Sequence, residues 1–209
     1  MEQIILNLDA ATNKEKILYT AIELFSMKGY SNVSMREIAG TIGIKAASIY
    51  NHYKNKEAIL EEIMLFFRQQ LHEQVYPTFD MGDSLNVHDF IKKLTKANDK
   101  FFSDPLYAKI GSIILREQFQ NEKIRQMLLE ELIQHPREQI AAYFERLISA
   151  GKMRAFDPIF IAKEYHSFFI YEFYENSLSQ SMSNSSGNRR GEEREEHVRV
   201  FLQTWIIEN

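Results

Sequence analysis

Apolar and polar residues alternate with helical spacing between Lys14 and Leu60, and this pattern predicts three short helices. Thr12 and Glu15 have the spacing of a capping box at the start of the first helix. Gly29 follows the last periodic turn, where a residue in the left-handed conformation can close a helix. The first helix carries one apolar stripe, formed by Ile17, Leu18, Ala21, Leu24 and Phe25.

Two further helices follow, separated by a turn. Ser34 and Glu37 form a second capping-box pattern, and Thr41-Ile42-Gly43 breaks the helix that they begin. A third helix is predicted from Ile44 to Tyr53. A helix, a turn with glycine and a second helix are the sequence form of a helix-turn-helix, whose second helix enters the DNA major groove. This motif spans about residues 34–53.

The remainder of the chain is also predicted to be helical, with no persistent strand-like alternation. Asn55 is a suitable N-cap for a fourth helix that ends near Tyr76, before Pro77, and Asp157 with Pro158 marks another strong helix start. Residues 79–86 and 179–191 are predicted to be loops, the second of them mobile. The other predicted helices cover residues 87–102, 105–119, 121–134, 136–150, 158–178 and 192–207.

The first quarter of the chain resembles the amino-terminal domain of the TetR (tetracycline repressor) family. The match is long and gapless, and it is carried by Phe25, Gly29-Tyr30, Ile38-Ala39, Gly43-Ile44, Ile49-Tyr50, His52-Tyr53 and Lys56-Glu57. The resemblance implies an all-α fold, with a three-helix DNA-binding domain at residues 1–56 and a helical ligand-binding and dimerisation domain at residues 57–209. It also implies a homodimeric repressor that a small apolar or aromatic effector releases from a palindromic operator in double-stranded DNA.

The amino-acid composition limits the kinds of site and the cellular location that we expect for this protein. The chain of 209 residues is 44% hydrophobic, which is enough for a substantial core. It has no cysteine, which excludes disulfides and thiolate metal sites and makes a reducing cytoplasm the simplest location. The start MEQIILNLDA lacks the basic region of a signal peptide, and no apolar segment approaches the ~20 residues of a membrane helix. We expect a soluble, cytoplasmic protein without membrane partners.

Charge is distributed unevenly along the chain. The net charge is −4, but the segment up to Lys56 has seven basic and five acidic residues, a net +2, so the rest carries −6. Such asymmetry can mark the end of a chain that faces a polyanion. It is modest here, so it supports DNA binding without proving it.

The third helix supplies the candidate base contacts. Ile49 and Tyr53 are predicted to face the core with Ile38, Ile42 and Ile44, which leaves a small and polar outer face. Such a face suits close approach to base edges, where Asn pairs with adenine; the alternative is an ordinary solvated face. The outer face comprises Lys45, Ala47, Ser48 and Asn51, flanked by Tyr50 and His52.

Phosphate contacts are expected elsewhere, because backbone contacts set register and base contacts set sequence. The resemblance assigns them to Ser34, Tyr50 and Lys56, while Arg36 and His52 are either further contacts or ordinary surface residues. Two residues depart from the family pattern. Lys45 stands where Ser or Thr usually caps the recognition helix, and Ala47 replaces a common glycine, so the operator sequence is in doubt.

The last two long helices are the candidate dimer interface. The segment from Ile159 to Tyr174 is apolar on nearly every side and needs cover all round. The resemblance places the interface there, whereas the alternative is that both helices serve the subunit's own core. The interface candidates are Ile161, Tyr165, Phe168, Val198, Phe201, Leu202 and Trp205.

The resemblance further implies an effector pocket, expected to hold an apolar or aromatic compound with one or two polar groups. His166 is either a polar anchor or a core histidine, and Arg116 either orients the ligand or pairs with Glu117. The aromatic residues are equally compatible with an ordinary core. The pocket candidates are Phe67, Phe102, Tyr107, Ile114, Arg116, Tyr143, His166, Phe169 and Phe173.

Two other classes of function compete with this one. The six histidines are scattered, and the chain has no HExxH motif, phosphate-binding glycine loop or nucleophile elbow, so we expect no enzyme, no metal and no cofactor. A helical interaction protein that retains the helix-turn-helix shape without binding DNA is the second alternative. Salt-dependent binding to duplex DNA would separate it from a repressor.

Overall fold

The structure is a computed structural model that describes residues 11–82, 84–179 and 187–207, with side chains undescribed at 176–179 and 187–190. Its first helices are α1 (Asn13–Lys28), α2 (Met35–Thr41), α3 (Ala46–Ile49) and α4 (Lys56–Gln74). They are followed by α5 (Val87–Ser103), α6 (Pro105–Glu117), α7 (Glu122–Met127), α8 (His135–Ser149), α9 (Pro158–Ser179) and α10 (Gly187–Trp205).

The predicted all-α fold is confirmed. Within the described residues, the only extended pairing is an isolated antiparallel bridge between Met153 and Ile206. No described helix is long and apolar enough to cross a membrane.

Three of the helix starts have the capping residues that the sequence predicts, as follows. The Thr12 hydroxyl accepts from the Glu15 amide at 3.3 Å, and the Glu15 carboxylate accepts from the Thr12 amide at 2.8 Å, so this capping box is complete. Asn55 accepts from the Ala58 amide at 2.8 Å at the start of α4. Asp157 accepts from the Ile159 amide at 2.9 Å at the start of α9.

The third helix is shorter than the sequence pattern predicts. Regular helix covers Ala46–Ile49, and the chain then turns, with the Asn51 amide donating to the Ser48 carbonyl at 3.2 Å. At the other end, Lys45 occupies the N-cap position without a side-chain hydrogen bond, because a lysine has no oxygen to accept one. The prediction of a helix from Ile44 to Tyr53 is therefore wrong at both ends.

The predicted break between helices at residues 134 and 136 is also wrong. A π-helical segment, Leu128–Gln134, joins α7 to α8, so the helical path runs from Glu122 to Ser149. Pro136 lacks an amide donor and would clash with a carbonyl in the preceding α-helical turn. The wider π turns before it change the hydrogen-bond spacing at that point, which lets the helix continue.

The prediction of a mobile loop at 179–191 is wrong at both ends, because the described residues there are helical. Ser179 is the last residue of α9, and α10 begins at Gly187 rather than at Glu192. Residues 180–186 lie outside the described part of the chain. The predicted loop at 79–86 contains no helix among its described residues after a short 3₁₀ turn at Tyr76–Phe79.

The chain forms two compact units, whose boundaries differ from a division at residue 56. The first unit contains the described residues of Met1–Val75 and Ala97–Met127. The second unit contains the described residues of Tyr76–Lys96 and Leu128–Asn209. In the first unit α1 packs against α2, α4 and α6. In the second unit α8 packs against α9, and Phe144 lies at the centre of its aromatic core.

Candidate nucleic-acid interface and effector site

Ser34 begins the candidate nucleic-acid interface. It is exposed, and its hydroxyl accepts from the Glu37 amide at 3.2 Å, which fixes it at the start of α2. The Glu37 carboxylate does not complete the predicted capping box. It instead accepts from Lys28 Nζ at 2.5 Å, and this hydrogen bond holds the pKa of Glu37 below its ordinary value. The link between α1 and α2 is therefore tied down by an ion pair.

The turn before α3 depends on a glycine. Gly43 has φ of +73°, a conformation that side-chain-bearing residues rarely adopt. The next amide, that of Ile44, donates to the Ala39 carbonyl at 3.0 Å, which brings the chain back onto α2. This turn sets the angle at which α3 leaves the domain.

The structure places the two faces of α3 as the sequence pattern indicates. Ile49 is fully buried and Tyr53 is 3% exposed, and Ile38 is buried beside them. Ile42 and Ile44 are half-buried, so they lie at the edge of this core. On the opposite face Lys45, Ala47, Tyr50, Asn51 and His52 are exposed and Ser48 is half-buried.

Lys56 is placed differently from its expected role as a phosphate contact. Its ammonium group donates to the carbonyl oxygens of Tyr30 at 2.6 Å and Val33 at 2.8 Å, and lies 3.4 Å from that of Ser31. It also sits 4.3 Å from the centre of the Tyr30 ring. Burial lowers the pKa of Lys56. Its ammonium is directed inward, where it holds the segment between α1 and α2.

Other basic residues of the domain divide into paired and unpaired groups. Lys14 pairs with Glu62 at 2.9 Å, and Lys28 with Glu37. Arg36 and Lys45 are exposed and form no ion pair with any described residue. These two cations, rather than Lys56, are available to a polyanion at this surface.

The same unit extends beyond the helix-turn-helix. Lys109 of α6 pairs with Glu23 of α1, and Lys123 of α7 pairs with Glu61 of α4. Helices α6 and α7 are thus attached to the domain that carries α3.

The predicted effector residues are divided between the two units. Phe67, Phe102, Tyr107, Ile114 and Arg116 belong to the first unit, and Tyr143, His166, Phe169 and Phe173 to the second. Phe67, Tyr107 and Ile114 are buried, and Tyr107 stacks on Phe101 with the ring centres 4.3 Å apart. Arg116 is exposed on α6, which corrects its expected position among apolar neighbours.

The interior of the second unit has polar atoms that lack protein partners. His166 Nδ1, Arg137 Nε and the hydroxyls of Tyr143, Tyr165 and Thr95 are buried without a hydrogen bond of ordinary geometry to a described residue. Burial, assisted by the charge of Arg137, lowers the pKa of His166 to about 4. Burial also raises the pKa of Tyr165, although the nearby Thr95 hydroxyl opposes this increase. His166 is therefore neutral near pH 7.

Sequence reasoning missed Arg137. A usable signal was present, because Arg137 precedes Ile140, Ala141 and Phe144 by three, four and seven residues and so shares their buried face of α8. The sequence pattern assigns residues 136–150 to a helix, and no role was predicted for Arg137. An arginine on the apolar face of such a helix needs an explanation.

The structure corrects part of the predicted dimer interface. Ile161, Tyr165 and Phe201 are at most 3% exposed and belong to the subunit's own core, since α9 and α10 pack against each other. The other four candidates, Phe168, Val198, Leu202 and Trp205, are half-buried. Apolar residues that remain exposed on or beside these helices are Phe156, Ile159, Phe160, Tyr171, Tyr174, Val200 and Ile207.

A buried ion pair joins α9 to α10. Glu172 is 7% exposed, and its two carboxylate oxygens accept from Arg194 at 2.7 and 3.1 Å. His197 stacks on Phe168 with ring centres 4.3 Å apart, and its Nε2 lies 3.1 Å from the Tyr165 carbonyl. Among the described residues, no cluster of three or more His, Asp or Glu side chains could hold a metal ion.

The amino-terminal helices match a known family. Residues 17–63 fit the family model of bacterial regulatory proteins of the tetR family. The chain is 50% identical over 46 residues to IcaR of Staphylococcus epidermidis, the helix-turn-helix negative transcriptional regulator of the biofilm operon icaADBC. This match covers 22% of the present chain and only 25% of that curated relative.

Solved structures extend the likeness to the whole fold. A TetR family transcriptional regulator from Pseudomonas syringae aligns with a TM-score of 0.71 at 16% identity, over 94% of this chain and 98% of that one. SmeT in complex with triclosan aligns with a TM-score of 0.67 at 19% identity, over 94% and 92% of the two chains. SmeT is the repressor of the Stenotrophomonas maltophilia multidrug efflux pump SmeDEF. Identities this low establish the fold alone.

Proposed function

We propose that this chain is a TetR-family transcriptional repressor that binds a palindromic operator as a homodimer and is released by a small-molecule effector. The outward face of α3 carries the proposal. Its small and hydrogen-bonding side chains are exposed while Ile49 anchors the helix from the other side. IcaR is a negative transcriptional regulator, and this supports repression as the effect of the present chain on its target genes.

Base recognition is assigned to the exposed Asn51 and Ala47 and the half-buried Ser48. An asparagine can donate to and accept from adenine at once, and a serine can pair with either partner type. Ala47 is small enough to let the helix approach the base edges and can contact a thymine methyl group. These three residues would define a few base pairs in each half-site.

Phosphate contacts are assigned to Ser34, Arg36, Lys45 and Tyr50, with His52 at the edge of the surface. Each is exposed, and the two cations have no ion pair among the described residues. Lys56 supports this surface indirectly, because its bonds to the Tyr30 and Val33 carbonyls fix the segment that leads into Ser34.

Dimerisation is assigned to the outer sides of α9 and α10. Phe160, Tyr171 and Val200 are each about half exposed, at 52%, 65% and 48%. Two copies that bury these side chains against each other would present two recognition helices about 34–36 Å apart, the distance between successive major grooves.

Control by an effector requires two arrangements of the dimer. The effector shifts their populations only as far as its affinities for the two arrangements differ. Binding in the second unit would favour the arrangement in which the recognition helices no longer match the groove spacing. The SmeT–triclosan complex supports an aromatic compound as a ligand for this fold.

The test is selection of bound duplexes from a random pool by the purified wild-type protein at near-physiological salt. We expect an enriched palindrome, which would establish both sequence recognition and a two-fold dimer. A folded dimeric protein that enriches no sequence would contradict the proposal and favour an interaction protein that does not bind DNA.

The same selection with Asn51→Ala tests the assignment of base contacts. We expect relaxed preference at one base position in each half-site, at a cost of about 1–3 kcal/mol for the preferred base. Lys45→Met is the matched control, since loss of a phosphate contact should weaken binding to all sequences equally. An equal loss across sequences for Asn51→Ala would remove it from the base-contacting set.

A further inference from the structure

We infer that the effector is an organic anion, and that Arg137 and His166 receive its carboxylate inside the second unit. This inference rests on the proposed function only in treating the ligand as an effector. The site itself is defined by the side chains of α8 and α9.

Arg137 provides the first argument. It extends the buried face of α8 that contains Ile140, Ala141 and Phe144, and its Nε is buried without an acceptor. It forms no ion pair with a described residue. Arg137 as a whole is half-buried, and withdrawing part of a guanidinium from water has a cost unless a hydrogen-bond acceptor replaces the solvent. An arginine in this position is explained by an anion that is not part of the chain.

Two carboxylates of the second unit are engaged by other side chains. Glu172 accepts two hydrogen bonds from Arg194, and Glu131 accepts from the Tyr76 hydroxyl at 2.9 Å. Glu138, one residue beyond Arg137, is exposed. Arg137 could therefore form an ion pair in the second unit, but none of these three carboxylates pairs with it.

His166 provides the second argument. Its Nδ1 is buried without a partner among the residues that the structure describes, and the positive charge of Arg137 acts on its ring. A neutral imidazole can donate one N–H to a carboxylate oxygen while the guanidinium donates to the other. The two side chains come from adjacent helices, α8 and α9, so together they can hold a planar carboxylate in one orientation.

The aromatic side chains of the same two helices favour an aromatic body for this anion. Tyr165, which precedes His166 in α9, has ring contacts with Phe144 of α8 at 6.2 Å and Phe169 of α9 at 5.1 Å between centres. The hydroxyl of Tyr143 on α8 is a further buried donor without a partner among the described residues. Apolar walls with a few convergent polar groups are typical of small-molecule sites. An aromatic carboxylic acid satisfies both parts of this environment.

The experiment compares acids with their neutral amides. Calorimetric titration of the full-length protein, without DNA, uses benzoate and benzamide, salicylate and salicylamide, and phenylacetate and phenylacetamide. We expect at least one acid to bind wild type about tenfold or more tightly than its amide, as a charge-assisted pair implies. Arg137→Met should abolish that preference, and Arg137→Lys should retain part of it. Arg68→Met, at an exposed arginine of α4, is the control and should bind as wild type does.

Three results would overturn the inference: no acid binds to wild type, acid and amide bind equally, or Arg137→Met keeps the full preference for the acid. Operator binding in the presence of each compound separates this inference from the proposed function. Release of DNA by the amide and acid alike would support effector control and refute anion recognition. Binding of the acid through Arg137 without any change in operator affinity would support the anion site and refute its role as the effector site.

Discussion

Lys56 in the first unit and Arg137 in the second are both cations that the fold partly withdraws from water, and their surroundings differ. The Lys56 ammonium meets two carbonyl oxygens within 2.8 Å and lies over the Tyr30 ring. The Arg137 Nε has no acceptor among the described residues. In the first unit the buried cation is bonded within the domain, and the outer face of α3 is exposed. In the second unit several buried donors have no acceptor among the described residues, and an added molecule could supply one.

The difference matches two kinds of recognition. A surface that contacts DNA must be rigid before the encounter, because its side chains have to fit fixed groove dimensions. A regulatory site must bind its ligand more tightly in one conformation of the protein than in the other. The ligand shifts the equilibrium between the two conformations only by this difference in affinity. Unpartnered buried donors provide such a gain. A third cation, Arg194, shows that the second unit can also complete a pair internally, with Glu172.

The largest expected effect is at Arg194. Arg194→Met leaves the Glu172 carboxylate buried without its cation, and we expect a loss of about 3 kcal/mol in the free energy of unfolding. Urea denaturation followed by circular dichroism measures it. The control is Arg199→Met on the same helix, whose pair with Glu196 is more than half exposed on both sides and should cost less than about 0.5 kcal/mol. Equal losses for the two variants would show that burial does not distinguish these pairs.

The second effect is at Lys56. Lys56→Met removes two charge-assisted hydrogen bonds to Tyr30 and Val33 and the contact with the Tyr30 ring, and should cost about 2 kcal/mol in unfolding free energy. Lys54→Met, at an exposed neighbour, is the matched control and should change stability by less than about 0.5 kcal/mol.

The salt dependence of operator binding distinguishes the inward role of Lys56 from a phosphate contact. For each phosphate contact that is lost, the slope of log K against log salt should fall by about 0.9. We expect this change in Lys45→Met and no change of slope in Lys56→Met. A reduced slope in Lys56→Met would return Lys56 to the phosphate-contacting set.

The smallest effect, and one of opposite sign, is at Arg137. Arg137→Met removes a half-buried cation whose Nε has no acceptor among the described residues, so the ligand-free protein should be as stable as wild type or more stable by up to about 1 kcal/mol. The pKa of His166, near 4 in the native protein, should rise because the adjacent positive charge is gone. Urea denaturation and NMR titration of the histidine measure the two changes. A clear loss of stability would mean that Arg137 is a structural residue.

Local features of the sequence predicted the parts of the structure that depend on neighbouring residues. Thr12, Asn55 and Asp157 cap the helices at which they were placed, because a capping side chain bonds an amide only two or three residues away. The inward positions of Ile49 and Tyr53 followed from helical spacing. The length of α3 did not follow, because periodicity continues through the turn at Asn51 while the hydrogen bonds change.

The sequence by itself determined the all-α class, the helix-turn-helix and the exposed face of α3, since each rests on spacing within a few turns. The tertiary structure alone decided which cations are used internally and which remain open. Lys56 reaches carbonyls 23 and 26 residues earlier in the chain, and Arg194 reaches Glu172 across 22 residues. Arg137 Nε has no acceptor in the described part of the chain, because packing of α8 against α9 brings none to it there. These contacts depend on which helices become neighbours in space, and residue spacing along one helix carries no information about that.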